Sequence, residues 1–280
     1  MSMARQRDQT SEQTGEQTGD RASERALARE GDKLDPRSVV GKIEIILDAF
    51  TIDDVELSLA ELVRRTGLPR TTVHRICQVV TTWGILERSG IDYRLGLRLF
   101  ELGQRVPHQR ILRDAGRPYM QGLLYRTQAV VHLAVLDGLE ALVIERLSPF
   151  RQPTRHTQIA GRMPLHCTAV GKALLAYAKP SLLTEVLRAG LPRRTPRTIT
   201  SALHLNQALE RTRESGIATE VEEMHVGYLA VAAPVLNSEN RAIAAISVTS
   251  PLHSHSADQL GDLAKEAAAG IGATLRAAYG

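Results

Sequence analysis

The sequence predicts an α+β fold in which a small helical part precedes a larger part that combines helices with an antiparallel sheet. Between Val39 and Trp83, apolar residues recur at the three- and four-residue spacing of amphipathic helices. Beyond Ala129, β-rich runs are separated by turn sequences such as Asp137-Gly138, which are typical of hairpins. Hairpins mixed with helices favour an antiparallel sheet with helices packed on it.

The composition predicts a globular protein without membrane-spanning segments. The chain has 280 residues, of which 43% are hydrophobic and 24% charged, enough for two ordinary domains. Its longest apolar runs, 129–136 and 229–236, have the length of buried strands and are too short to cross a bilayer. No secretory signal is recognised, and Cys77 and Cys167 lie far apart. We therefore expect reduced thiols in a cytoplasmic protein.

Domain boundaries follow from shifts in composition. Residues 1–36 are rich in Gln, Glu, Arg, Ser, Thr and Gly and contain few large apolar side chains. Such a segment cannot offset the entropy cost of ordering, so we predict a disordered tail. The predicted domains after it are a small helical domain over 37–95, a linker helix over 96–110 and a larger α/β domain over 111–280.

The first domain has the pattern of a winged helix-turn-helix. Ser38 and Ser58 are good N-caps, Glu61 completes a capping box, and Gly67 marks a tight turn. Pro69 suits the first position of a third helix. The predicted helices cover 39–50, 59–65 and 69–83, and the predicted hairpin strands cover 84–88 and 93–95. Three short helices followed by a hairpin form a helix-turn-helix with a wing.

The charge distribution in this domain predicts contact with DNA. No acidic residue occurs between Leu62 and Leu86. The start of the third helix offers free backbone N–H groups and positive potential to phosphates, and its outer face carries side chains that can reach base edges. The predicted DNA-binding residues are Arg64, Arg65, Pro69, Arg70, Thr71, Thr72, His74, Arg75, Gln78, Arg88 and Arg94. The alternative is a winged helix used only for protein contact, with its arginines forming a solvated face.

The second domain is predicted from alternating strand and helix patterns. The predicted helices cover 95–106, 111–128, 168–177, 201–215 and 257–279. The predicted strands cover 130–136, 139–147, 217–222, 228–236 and 242–249.

Several stretches together resemble one known family. They are Ser58 to Leu62, Leu68 to Arg75, Pro164 to Leu175 and Gly227 to Pro251. On these residues the chain is similar to the IclR family of bacterial transcription regulators. The resemblance implies a winged helix-turn-helix joined by a linker helix to a GAF-like effector-binding domain, assembled as a homodimer or homotetramer. It also implies binding to double-stranded operator DNA and repression of a catabolic or metabolic operon, with an affinity that a small organic effector changes.

The resemblance also implies an effector site. Its residues here are Leu165, His166, Cys167, Thr168, Ala169, Gly171, Glu220, Ala230, Ser247 and Thr249. Two positions depart from the family pattern: Glu220 stands where Asp is common, and Ala230 where Cys is frequent.

The residues themselves suit a small oxygenated ligand such as an organic acid. Backbone N–H groups at the start of the helix at Thr168, with the hydroxyls of Ser247 and Thr249, are donors for oxygen acceptors. The apolar enclosure is predicted from Leu165, Val170, Val231 and Ile246. An ionised Glu220 would repel an acid, which leaves a neutral or hydroxylated effector as the alternative. An ordinary helix cap and a cross-strand hydrogen bond would explain the same residues without a ligand.

Chemistry other than ligand binding finds little support in the sequence. Gly171-Lys172 lacks the rest of a phosphate-binding loop, and the histidines have no partners at metal-ligand spacing. We therefore expect no catalytic residues, no metal and no cofactor. The alternatives are an enzyme or a small-molecule-binding protein in which the helical domain is only an interaction module.

Overall fold

The computed structural model describes Asp35, residues 37–149 and residues 158–279. Apart from Asp35, the predicted disordered tail lies outside the described residues. The described chain divides into two compact units, the first ending at Arg110 and the second beginning at Ile111. None of the helices in this described part is long and apolar enough to cross a bilayer.

The first unit consists of short helices and a two-stranded hairpin, as the sequence predicts. Its elements are α1 (Val39–Asp48), α2 (Leu59–Thr66), α3 (Arg70–Thr82), β1 (Leu86–Ser89), β2 (Asp92–Leu95) and α4 (Leu97–Gln104). The hairpin is antiparallel and pairs Leu86 with Leu95. Its turn is Gly90-Ile91, and Gly90 has a φ of +62°. The winged helix-turn-helix is therefore present.

Local capping positions these helices. The Ser38 hydroxyl accepts a hydrogen bond from the amide of Gly41 at 2.9 Å, and the Ser58 hydroxyl accepts one from the amide of Glu61 at 3.1 Å. Gly67 ends α2 with a φ of +67°, a conformation that glycine adopts without strain. Apolar side chains from all three helices and the hairpin then close a small core, whose fully enclosed members include Ile46, Leu62, Val73, Leu86 and Tyr93.

Two predicted boundaries in this region are wrong. Pro69 precedes α3 as its cap residue and is not the first residue of the helix. The single helix expected over 95–106 is also incorrect, because Leu95 ends β2 and α4 stops at Gln104. The next helix, α5, begins at Pro107. A residue that precedes proline disfavours the helical conformation, which explains the break at Val106.

The second unit is a six-stranded sheet with helices on both faces. Its helices are α5 (Pro107–Thr127), which begins shortly before the boundary at Ile111, α6 (Ala169–Ala176), α7 (Pro180–Ala189), α8 (Ala202–Ser215) and α9 (Ala257–Tyr279). Its strands are β3 (Val130–Asp137), β4 (Glu140–Leu147), β5 (Arg162–Pro164), β6 (Ala218–Val221), β7 (Tyr228–Leu236) and β8 (Ala242–Pro251). All pairings are antiparallel, in the order β5-β4-β3-β8-β7-β6. The predicted α+β class is confirmed.

Two elements of this unit were not predicted. Strand β5 has only three residues, too few to show an alternating pattern. Helix α7 follows Lys179, which makes no side-chain cap hydrogen bond.

Each face of the sheet has its own apolar core. Side chains from α5 and α9, including Met120 and Ile271, pack on one face. Side chains from α6, α7 and α8 pack on the other, for example Leu174 and Leu205. Adjacent strand residues point to opposite faces, so each strand contributes alternately to the two cores.

Candidate DNA-binding surface and ligand cavity

The exposed face of α3 carries the side chains suited to DNA. Arg70, Thr71, Arg75 and Gln78 are exposed, and Thr72 and His74 are half-buried. The opposite face of the helix is fixed in the core by Val73, Ile76, Cys77 and Val80. Helical spacing therefore separates a packed face from a polar face.

Two arginines of this face are available for an external partner. The side chains of Arg70 and Arg75 make no hydrogen bond or ion pair with any residue that the structure describes. Pro69 also provides no side-chain cap, which leaves the first N–H groups of α3 for an acceptor. Free N–H groups, positive helix potential and two uncommitted guanidinium groups form a surface suited to a phosphate backbone and to guanine edges.

The other predicted arginines already have intramolecular contacts. Arg64 binds Glu61 through two hydrogen bonds of 2.8 and 2.5 Å. Arg65 binds Asp54 at 2.6 and 3.0 Å and Glu61 at 2.7 Å. Hydrogen bonds from Arg64 and Arg65 lower the pKa of Glu61 to about 2. Both acidic partners precede the acid-free stretch, so the sequence argument from that stretch missed them.

In the wing, the two predicted arginines are also engaged. The Arg94 guanidinium donates two hydrogen bonds, of 3.0 and 2.9 Å, to Glu87. Arg88 lies over the ring of Tyr93, 5.3 Å from its centre. Arg70 and Arg75 are consequently the strongest candidates for direct readout.

The second unit contains a cavity of about 60 Å³ against the α6 face of the sheet. One water molecule needs about 10–15 Å³ of such space, so the cavity is several times larger than a water site. Its lining residues are Val130, His132, Met163, Thr168, Ala169, Val170, Glu220, Met224, His225, Tyr228, Ala230, Ser247 and Thr249.

Strand register explains why distant residues share this wall. Thr249 pairs with Val130 on one side and with Ala230 on the other, and Ala230 pairs with Glu220. Residues that pair directly across strands lie on the same face. This row therefore crosses β3, β8, β7 and β6 on the cavity side. Ser247, two residues before Thr249, belongs to a parallel row.

The structure brings together six of the ten predicted effector residues. Those that line the cavity are Thr168, Ala169, Glu220, Ala230, Ser247 and Thr249. Those outside its wall are Leu165, His166, Cys167 and Gly171.

Three of the residues outside the wall have evident packing roles. The ring Nε2 of His166 lies 3.1 Å from the carbonyl oxygen of Pro192, and burial lowers the pKa of this histidine. Burial also raises the pKa of the Cys167 thiol to about 12. Leu165 is fully buried in the core beside α6. These groups hold the loop that precedes α6.

The predicted apolar enclosure is only partly correct. Val170 lines the cavity, whereas Val231 and Ile246 lie on the opposite face of the sheet among the side chains facing α9. The apolar lining comes instead from Val130, Met163, Met224 and the ring of Tyr228. Val231 follows Ala230, and Ile246 precedes Ser247, so strand alternation requires each pair to diverge.

Two hydroxyls in the cavity wall have no partner among the described residues. The side chains of Ser247 and Thr249 make no hydrogen bond to any residue in the described part of the chain. The cross-strand hydrogen bond considered from the sequence is therefore not formed. The Thr168 hydroxyl differs, because it donates to the carbonyl of Pro164 at 2.7 Å and accepts from the amide of Gly171 at 3.1 Å.

Glu220 is the buried carboxyl group of the cavity. Its Oε1 accepts hydrogen bonds from the amides of Glu223 and Met224, at 2.9 and 3.0 Å. Burial, reinforced by the nearby Glu223 carboxylate, raises the pKa of Glu220 to about 7, although both amides and Lys172 act in the opposite direction. Lys172 itself forms a buried ion pair of 2.5 Å with Glu223. Near neutral pH the cavity therefore contains a carboxyl group that is partly protonated.

We expect Glu220→Gln to change the pH dependence of stability. The pKa of Glu220 in the folded protein, about 7, exceeds the ordinary value of 4.5. Protonation of Glu220 therefore stabilises the folded parent fully below pH 4.5, and this stabilisation is lost as the pH rises through 7. Glutamine can still accept both amide hydrogen bonds and does not ionise. The free energy of unfolding is measured by urea denaturation. Between pH 5 and pH 8, the value for the variant minus the value for the parent should increase by on the order of 2–3 kcal/mol.

The exposed Glu210 on α8 provides the matched control. Glu210→Gln removes the same formal charge away from the cavity. If the free energy of unfolding had the same pH dependence in the parent and in Glu220→Gln, the pKa of the Glu220 carboxyl group would not be raised by burial.

A winged helix-turn-helix with uncommitted arginines, followed by a unit that encloses a small cavity, defines a ligand-responsive DNA-binding regulator. Two sequence models of one family match the chain: "Bacterial transcriptional regulator IclR C-terminal" over residues 104–272 and "IclR helix-turn-helix domain" over residues 45–90. The chain belongs to the IclR family of transcriptional regulators.

Individual relatives agree with this assignment. The regulator XynR of Escherichia coli is 33% identical over 207 residues, which are 73% of this chain and 82% of that protein. The probable regulator SauR of Cupriavidus necator is 35% identical over 219 residues, or 77% of this chain and 86% of that protein. Both relatives carry the name of a transcriptional regulator, which favours the regulator over the enzyme alternative.

Solved structures support the fold. An IclR homologue from Microbacterium hydrocarbonoxydans, complexed with 4-hydroxybenzoate, is 33% identical, with a TM-score of 0.80 over 86% of this chain and 100% of that chain. Thermotoga maritima IclR is 25% identical, with a TM-score of 0.69 over 84% of this chain and 98% of that chain.

Proposed function

We propose that this regulator represses a metabolic operon and that a small oxygenated molecule bound in the cavity changes its affinity for the operator. The observation that carries this proposal is the pair of cavity hydroxyls, Ser247 and Thr249, which have no partner among the described residues. Buried polar groups are normally hydrogen-bonded, so two unused hydroxyls in an apolar wall favour a ligand with oxygen atoms.

The effector class follows from the rest of the wall. Val130, Met163 and the ring of Tyr228 offer apolar surface to a carbon skeleton. Glu220 in its protonated form donates a hydrogen bond, and in its ionised form it accepts one from a ligand hydroxyl. A small hydroxylated organic acid satisfies both kinds of surface. The 4-hydroxybenzoate in the Microbacterium hydrocarbonoxydans structure is a molecule of this type and serves as the first probe.

We expect Ser247→Ala and Thr249→Val each to weaken binding of 4-hydroxybenzoate by about 5- to 30-fold, the equivalent of about 1–2 kcal/mol for one lost hydrogen bond. Calorimetric titration measures this directly. Ser181→Ala, an exposed serine on α7, is the control and should bind like the parent. If both cavity variants bound 4-hydroxybenzoate like the parent, the ligand would bind outside this cavity. If the parent bound no hydroxylated acid, the proposed effector class would be wrong.

We also propose that the chain acts in the cytoplasm as a homodimer or a pair of dimers. Helix α4 has no buried residue, and Leu97 and Phe100 are 65% and 62% exposed. Exposed apolar surface of this kind marks a protein contact, and a second copy of the chain matches the two-fold symmetry of paired operator half-sites. Two chains per operator duplex are therefore expected, a ratio measured in the DNA-binding experiment below.

A further inference from the structure

Arg146 on β4 is not itself a lining residue of the cavity, but a bulge places it on the same face of the sheet. Leu133 pairs with Glu145 and Ala134 pairs with Val143, so Ile144 is an extra residue in β4. Beyond the bulge, Arg146 pairs with His132, which lines the cavity. Directly paired residues share a face, so Arg146 and His132 lie side by side on the α6 face.

The neighbouring acid does not neutralise Arg146. Glu145 follows strand alternation to the opposite face, where Arg117 of α5 donates a hydrogen bond to it at 3.3 Å. Its other oxygen accepts from the backbone amide of Arg146 and not from the guanidinium. The bulge therefore separates two adjacent opposite charges onto two faces of the sheet.

The guanidinium of Arg146 has donors that no described residue uses. Its Nε and Nη2 atoms are buried and have no hydrogen-bond partner in the described part of the chain. Desolvation lowers the pKa of this arginine. Burying charged donors without an acceptor is costly, so such a group in a folded protein calls for an acceptor beyond the described residues. A carboxylate matches the paired donors of a guanidinium.

Glu220 lies toward the opposite edge of the same face. The sheet order places four strand intervals, each of about 4.8 Å, between β4 and β6. Ser247 of β8 pairs with His132 of β3 and lies between the two charged ends. The face therefore has a basic end, a central hydroxyl and an acidic end.

We propose that Arg146 binds the carboxylate of the effector, and that the effector is a hydroxy acid whose hydroxyl points toward Glu220. This inference rests on the proposed effector-binding function and fixes the orientation of the ligand. It also removes the conflict between an acidic ligand and Glu220, because the two carboxyl groups lie at opposite ends. His132 and Ser247 face the middle of the molecule.

The test compares 4-hydroxybenzoate with 4-hydroxybenzamide, which keeps the ring and the hydroxyl but has no charge. By calorimetry, Arg146→Gln should bind the benzoate at least about 30-fold more weakly than the parent, as expected for the loss of one partner of a desolvated charge pair. Binding of the benzamide should weaken much less, because its carbonyl oxygen accepts a hydrogen bond but carries no charge. Arg211→Gln, an exposed arginine on α8, is the matched control and should bind both probes like the parent.

The alternative outcomes separate this inference from the proposed function. If the parent and Arg146→Gln bind the benzoate equally, Arg146 is not the carboxylate site, although the cavity still binds a ligand. Equal weakening of benzoate and benzamide would assign Arg146 a structural role, which a lower melting temperature of the free variant would also indicate. If the parent binds neither probe, both the orientation and the proposed effector class are wrong.

Discussion

Replacing Arg70 and Arg75 together with alanine should reduce affinity for the operator by about 30- to 10,000-fold. A good bidentate arginine contact to a base edge is worth about 1–3 kcal/mol, and the two side chains lie on one exposed face of α3 without partners among the described residues. Fluorescence anisotropy with a labelled operator fragment measures the loss. It must be recorded at one fixed salt concentration, because phosphate contacts make affinity strongly salt-dependent.

The control for this experiment is Arg188→Ala, an exposed arginine on α7 that removes one positive charge outside the first unit. It should bind operator DNA like the parent, and a titration at high concentration should give two chains per duplex. Parent-like binding by the double variant would show that α3 is not the recognition helix. A stoichiometry of one chain per duplex would contradict the proposed dimer.

The parts of the fold that depend on neighbouring residues could be predicted from the sequence. Ser38, Ser58 and Gly67 act within one helical turn of their own positions, so their capping roles are visible in the chain itself. The Asp137-Gly138 hairpin is equally local, and the structure places Gly138 at a φ of +62° between β3 and β4. For these elements, propensity and tertiary structure agree.

The cavity could not be predicted to the same degree because it depends on how separate strands align. A shift of one residue moves a side chain to the other face, and Ala230 lines the cavity while Val231 packs toward α9. The buried histidine in the apolar run of β3, His132, was a signal that the sequence analysis did not use. Arg146 gave no such signal, because nothing near Ile144 in the sequence marks a bulge.

Partners that are distant in sequence also decide which charges are available. Arg65 lies in an acid-free stretch, but the fold brings it to Asp54. Arg70 and Arg75 lie in the same stretch and find no such partner among the described residues. A basic segment in a sequence therefore identifies the candidates for DNA contact, and the tertiary structure selects among them.

The cavity wall depends on a glycine that does not itself line the cavity. A Cβ at Gly171 would lie 2.6 Å from the Leu165 Cα, from the Pro164 carbonyl oxygen and from the Thr168 hydroxyl. Two of these three atoms belong to the backbone, so they cannot move aside by a rotamer change. The close approach lets the Thr168 hydroxyl bond the amide of Gly171, which holds the loop against the start of α6.

Gly171→Ala should therefore lower the free energy of unfolding by about 2–3 kcal/mol, despite the higher helix propensity of alanine, because overpacking against backbone atoms outweighs that gain. Gly122→Ala is the matched control, since Gly122 lies in α5 with no atom within 4 Å of an added Cβ. It should raise the free energy of unfolding by about 0.5–1 kcal/mol. Urea denaturation of both variants measures the difference. If Gly171→Ala were as stable as Gly122→Ala, the close packing of the loop against α6 would be contradicted.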